Sequence, residues 1–204
     1  MSLHAAFRTV PAALFFAAAM GSVTPAQTKA PIAVDSARVT ITGTSNIHEY
    51  TATSTSARVV RVQVGAAATG AAFWDEVVKP GALEAFELVI PAASLSSPKA
   101  GLDKNMHKAL KVEQHPEIAF RLARLEGPAD ALRAVGTLRI TGVERDVVLM
   151  LKTERRDGLL VVKGQLPLLM TDFGIKPPTA MLGMLKTDPK VMVSFEAILA
   201  VPLT

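Results

Sequence analysis

The chain has 204 residues, with 22 Lys and Arg against 18 Asp and Glu and a net charge of +4. Its cations are mixed with acids, as in TERRDG (Thr153 to Gly158), and do not gather into the basic face or groove of a nucleic-acid binder. It contains no cysteine, which excludes thiolate catalysis, cysteine-ligated metals and a disulfide scaffold.

Residues 1–26 read as a secretory signal peptide. Arg8 supplies the cation, Val10 to Met20 (VPAALFFAAAM) an apolar stretch, and Gly21 to Ala26 small residues suited to cleavage. The apolar stretch is too short to span a bilayer, which takes about 20 residues. The expectation is cleavage between Gly21 and Ala26, a periplasmic or secreted location, no stable membrane insertion, and one domain over residues 27–204.

Beyond that segment the dominant signal is alternation with period two, the mark of strands with one buried face. RVTITG (Arg38 to Gly43) aligns Val39 and Ile41, and VVRVQVG (Val59 to Gly65) aligns Val60, Val62 and Val64. LEAFELVIP aligns Phe86, Leu88 and Ile90 before Pro91, and EIAFRLARL aligns Ile118, Phe120 and Leu122 with Arg121 opposite. GTLRITG sets Leu138 and Ile140 against Arg139 and Thr141; DVVLMLKTE then runs into a turn at ERRDG, and LLVVKGQL returns. The last strand, KVMVSFEAILAV, aligns Val191, Val193, Phe195 and Ala197. About eight strands with short polar or glycine-rich links predict an all-β domain, an antiparallel sandwich or barrel.

Two stretches break the pattern. Leu102, Met106, Ala109 and Leu110 recur at helical spacing before Pro116, predicting a short helix across one barrel opening. Leu168 to Lys186 is apolar but holds Pro177-Pro178, predicting an ordered, non-repetitive crossover or cap.

Catalytic signals are few. Asp172-Phe173-Gly174 matches a kinase tripeptide, but the glycine-rich loop, strand lysine and Asp-Asn catalytic loop that phosphoryl transfer needs are missing. His48, His107 and His115 stand near Glu49, Asp103, Glu113 and Glu117, yet no two of these histidines have a metal-ligand spacing of three or four. Gly43-Thr44-Ser45-Asn46-Ile47 lacks the second glycine of a nucleophile elbow, and Asp146 and Asp172 have no evident acid/base partner. No catalytic residue, metal site or resident cofactor is expected.

The positive signal is aliphatic. Of eight Phe, Phe7, Phe15 and Phe16 fall in the signal segment, and the rest of the chain adds one Trp and one Tyr. An eight-stranded barrel is just wide enough to fill with side chains or to hold one small ligand. Aliphatic walls suit a flexible hydrocarbon chain better than a planar polar ligand. Alternation alone does not separate a hollow barrel from a filled one.

Four motifs then carry a resemblance: GTSNIHEY (Gly43 to Tyr50), LDKNMHKALKVEQHPEIAF (Leu102 to Phe120), GTLRITGVERDV (Gly136 to Val147) and TDFGIKPPTAMLGMLKTDPKVMVSF (Thr171 to Phe195). From about Asp35 to Val201 the chain resembles the YceI-like family of exported, lipocalin-like barrels that bind polyisoprenoid or other amphiphilic lipids. The resemblance implies a single antiparallel eight-stranded lipocalin-like barrel with a hydrophobic tunnel and no established catalytic residues. A polyisoprenoid, quinone or fatty-acid-like ligand would meet Phe86, Leu88, Phe120, Leu122, Leu138, Ile140, Leu149 and Phe195, with Met181 from the crossover. The chain departs from the family at the polar stretch Thr51 to Ala57 and at Ala66 to Pro80, which bears on one mouth of the barrel. Three functions remain open: a lipid-binding module, which leads; a filled structural or stress-response interaction barrel; and a lipid- or quinone-modifying enzyme. A homodimer is compatible with all three.

Overall fold

The structure, a computed structural model, describes residues 31–65, 72–180 and 184–201. The expected signal segment, residues 1–26, and Met181 lie outside the described residues.

The chain runs β1 (Ala33–Ser45), β2 (Glu49–Ser54), β3 (Arg58–Val64), α1 (Phe73–Val77), β4 (Leu83–Pro91), α2 (Ala100–Leu110), β5 (Glu117–Glu126), β6 (Leu132–Ile140), β7 (Val143–Arg156), β8 (Leu159–Leu169), β9 (Thr179–Ala180) and β10 (Leu185–Ala200). One antiparallel sheet takes the order β2-β1-β10-β8-β7-β6-β5-β4-β3, with the two-residue β9 beside β10. Among the described residues the sheet has ten strands, where the alternation predicted eight. The all-β, antiparallel expectation holds, and the sheet curls until β1 and β3 approach each other.

Local chemistry explains the connections. Thr141-Gly142 joins β6 to β7 and Asp157-Gly158 joins β7 to β8, all four with positive φ. Two-residue loops of that conformation match the right-handed twist of the strands they join. The seam between the ends of the sheet is bridged after β4, where Thr53 and Ser96 exchange backbone hydrogen bonds of 2.7 and 3.0 Å. The Ser54 and Ser94 hydroxyls, 2.6 Å apart, reinforce the contact.

Register shifts in β3 and β5 adjust which side chains face inward. In β3 the register shifts between Val59 and Arg61, so the predicted face Val60, Val62, Val64 is not continuous. Val60 is turned outward and 48% exposed, while Val59 takes its place with Val62 and Val64. In β5 a shift between Leu122 and Arg124 keeps Arg124 outside and brings Leu125 into the core.

The two barrel ends are packed differently. At one, α1 drives Phe73, Trp74 and Val77 against Ile32, Leu160 and Leu199. The Phe73 and Trp74 rings meet edge to face at 5.0 Å, and Trp74 Nε1 donates to the Gly158 carbonyl at 2.7 Å. At the other, Leu95, Leu110, Ile140, Phe173 and Ile175 form a buried cluster that gathers Met106 and Ala109 of α2. Asp172-Phe173-Gly174 is thus a packing turn. Phe173 is buried, Gly174 takes a left-handed φ of 67°, and the Phe173 carbonyl accepts the Thr141 hydroxyl.

Candidate functional site

Between the two clusters lies a cavity of about 680 Å³. The barrel is therefore hollow, and the volume falls within the range of about 300–1,000 Å³ usual for ligand sites. Eight of the residues named from the sequence face it: Phe86, Leu88, Phe120, Leu122, Leu138, Ile140, Leu149 and Phe195. The remaining one, Met181, lies outside the described residues. Leu102, Met106, Ala109 and Leu110 of α2 line the same space, as their spacing predicts. Val77 and Val78 at α1 close it below, so the unusual Ala66 to Pro80 stretch includes a floor for the lumen.

The width comes from glycines that the sequence reading passed over. Gly43, Gly136 and Gly164 share the inward phase of β1, β6 and β8, each beside an aromatic ring on a neighbouring strand. A Cβ on Gly164 would come within 2.5 Å of the Phe195 ring, and one on Gly136 within 2.8 Å of the Phe120 ring. A Cβ on Gly43 would run into the Tyr50 ring. Each ring therefore lies on a bare backbone, against the wall instead of across the lumen. The readable signal was a glycine in the inward phase of an otherwise apolar strand.

Polar residues of the lining gather mainly at the α2 end: Ser45, His48, Glu49, Lys99, Asn105 and Thr187. His48, Glu49 and Lys99 are also exposed, so the lumen reaches the surface there. Asn46 staples this mouth. Its side chain donates to the Met184 carbonyl and accepts the Lys186 N–H, both at 2.8 Å, and its own N–H donates to the Lys186 carbonyl at 3.1 Å.

The nearest approach to catalytic geometry is Ser45 beside His48, Oγ to Nδ1 at 3.3 Å. The Ser45 hydroxyl donates instead to the His48 carbonyl at 2.8 Å, and Lys99 Nζ sits 3.3 Å from His48 Nε2 where a triad would place a carboxylate. The pair is a turn stabilised by a serine side chain. His107 Nε2 bonds the Leu95 carbonyl at 2.7 Å, anchoring α2, and His115 packs on the Gly142 turn. No metal-holding cluster of three or more His, Asp or Glu occurs among the described residues.

Among the described residues Tyr50 is the one polar anomaly of the wall. Its Oη is buried without a hydrogen-bond partner. Burial, then the nearby Asp188 charge, pushes its pKa above the ordinary phenol value. The folded protein holds this proton more tightly than the unfolded chain does. The corresponding stability is present below the unfolded pKa of about 10 and is lost as pH rises through the folded value. Tyr50 is the only tyrosine, so tyrosinate absorbance reports on it alone. We expect its titration midpoint to lie above that of free tyrosine. Tyr50→Phe should melt no lower than wild type at neutral pH, because it removes an unpartnered buried hydroxyl, and should lose less stability under alkali. A loss of more than about 1 kcal/mol at neutral pH would show that the hydroxyl is satisfied after all.

A curled antiparallel sheet around an apolar lumen, with a polar mouth and a helix across it, defines a lipocalin-like barrel. The family model described as YceI-like domain matches residues 22–199, and the chain belongs to that family. Among solved structures the fold is similar to BcnA of Burkholderia cenocepacia, with 12% identity and a TM-score of 0.62 over 80% of this chain and 96% of that one. A polyisoprenoid binding domain from Saccharophagus degradans, implicated in plant cell wall breakdown, is similar at 14% identity and a TM-score of 0.61, over 85% of this chain and all of that one (100%). The Campylobacter jejuni YceI protein aligns at 15% identity and a TM-score of 0.52, over 76% of this chain and 82% of that one. No curated protein matches the chain.

Proposed function

We propose that the protein is an exported, non-catalytic carrier that holds the hydrocarbon chain of an amphiphilic lipid, isoprenoid lipids included, inside its barrel. The observation that carries this reading is the 680 Å³ lumen, walled by aliphatic and aromatic side chains and open at a polar mouth. An apolar chain gains about 0.8 kcal/mol for each methylene moved out of water, so such a lumen rewards chain length. The polar head remains at the mouth among Ser45, Lys99, Asn105 and Thr187. The similarity to a polyisoprenoid binding domain supports the same ligand class. The wall residues Phe86, Leu88, Phe120, Leu122, Leu138, Ile140, Leu149 and Phe195 are the contacts this reading assigns to the chain.

Export rests on the signal-like residues 1–26. The absence of catalysis rests on the Ser45 and His48 geometry. The test is a titration of delipidated protein with linear alcohols of graded length. Affinity should climb with each added methylene and level off once the lumen is full. Affinity independent of chain length would contradict chain binding in the lumen.

A further inference from the structure

Of the large hydrophobic side chains exposed among the described residues, Met184 and Ile47 protrude furthest, at 66% and 61%. They are not scattered. Ile47 is at the tip of the β1–β2 turn and Met184 precedes β10, and the Asn46 staple fastens the two segments to each other beside the mouth of the lumen. The segments framing this mouth, residues 45–50, 97–110, 174–180 and 184–190, carry Lys99, Lys104, Lys108, Lys176, Lys186 and Lys190, all exposed. Against them stand Glu49, Asp103 and Asp188. Asp103 accepts the Ser97 N–H at 2.7 Å and Asp188 the Lys190 N–H at 2.8 Å; both keep their charge, and the lysines still outnumber the acids.

Protruding apolar tips on segments that expose more cations than anions are the chemistry of a surface that rests on an anionic bilayer. The tips enter the boundary between headgroups and acyl chains, and the ammonium groups face lipid phosphates. The outward wall also exposes Met150, at 55%, but on β7 and away from the mouth. We propose that the lip built from Ile47, Met184 and their neighbouring lysines docks on an anionic membrane surface and seats the open end of the barrel against the lipids. This rests on the chain-carrier reading for its purpose, since a docked mouth lets a chain pass between lumen and bilayer without crossing water. The docking itself depends only on the lip.

The experiment is flotation of the purified protein with vesicles of phosphatidylglycerol and phosphatidylcholine in equal parts, and with phosphatidylcholine alone. Wild type should float with the anionic vesicles and much less with the neutral ones. Ile47→Asp/Met184→Asp should reduce flotation at least tenfold, since it sets charges where apolar tips enter the lipid, roughly as for other interfacial anchors. Met150→Asp should float as wild type does. If the double Asp variant melts abnormally, the Ser pair at the same positions replaces it. Unchanged flotation of the double variant, or an equal loss in Met150→Asp, would overturn the proposal. Mass spectrometry of the same preparations separates the two readings. Protein that floats but carries no chain leaves docking standing and removes the carrier role, whereas chain-loaded protein that fails to float removes docking alone.

Discussion

Leu138→Trp should abolish uptake of a long apolar chain while the ligand-free protein still melts near the wild-type temperature. Leu138 stands on β6 with its side chain in the lumen wall, next to the ring of Phe120 on β5, its cross-strand partner. A Trp there projects its extra atoms into a cavity of about 680 Å³, so the bulk displaces ligand and not protein. In a filled core the same substitution would overpack and cost about 1–3 kcal/mol. Chain binding and thermal melting, measured on one preparation, separate the cases. Retained uptake, or a large fall in melting temperature without any effect on uptake, would mean that the chain does not occupy this part of the barrel.

Trp74→Ala should produce the largest loss of stability of any single change considered. Trp74 is 3% exposed, packs on Phe73 and among Ile32, Leu160 and Leu199, and donates to the Gly158 carbonyl. Truncating a buried Trp to Ala costs about 3–5 kcal/mol, because the transfer energy of the ring is lost and a cavity remains. For a domain of this size that lowers the melting temperature by roughly 10 °C. The floor of the lumen should open as well, so a bound chain should be released faster. Circular dichroism melting reads the first effect and ligand dissociation the second. Wild-type melting in Trp74→Ala would mean that α1 does not hold that end of the barrel together.

The barrel walls were legible because large aliphatic and aromatic residues recur at every second position along β4, β5, β6 and β10. Eight of the nine residues named for the lumen face it for that reason. β2 was missed because its buried face is Tyr50, Ala52 and Ser54, with Ala52 at 1% and Ser54 at 2% exposure, and two small residues give no apolar period. The displaced face of β3 follows from a bulge, which leaves the amino-acid pattern intact while shifting the phase at which it meets the core. α1 has only five residues, too few to show helical periodicity, and is held by tertiary burial of Phe73, Trp74 and Val77. The Asn46 staple joins positions 140 residues apart in the chain, a contact that no local spacing reports. The cavity shows the barrel to be hollow, and the three inward glycines that let rings lie on the wall show their role only once the neighbouring rings are in place.

The most direct measurement is native mass spectrometry of the wild-type protein, purified from its own cells under conditions that keep apolar ligands bound. A lumen that holds an amphiphilic chain predicts a retained adduct that is released on denaturation, that partitions into organic solvent, and that is absent from Leu138→Trp prepared in the same way. Wild-type protein that carries no adduct and cannot be loaded with any long apolar chain would contradict the carrier role.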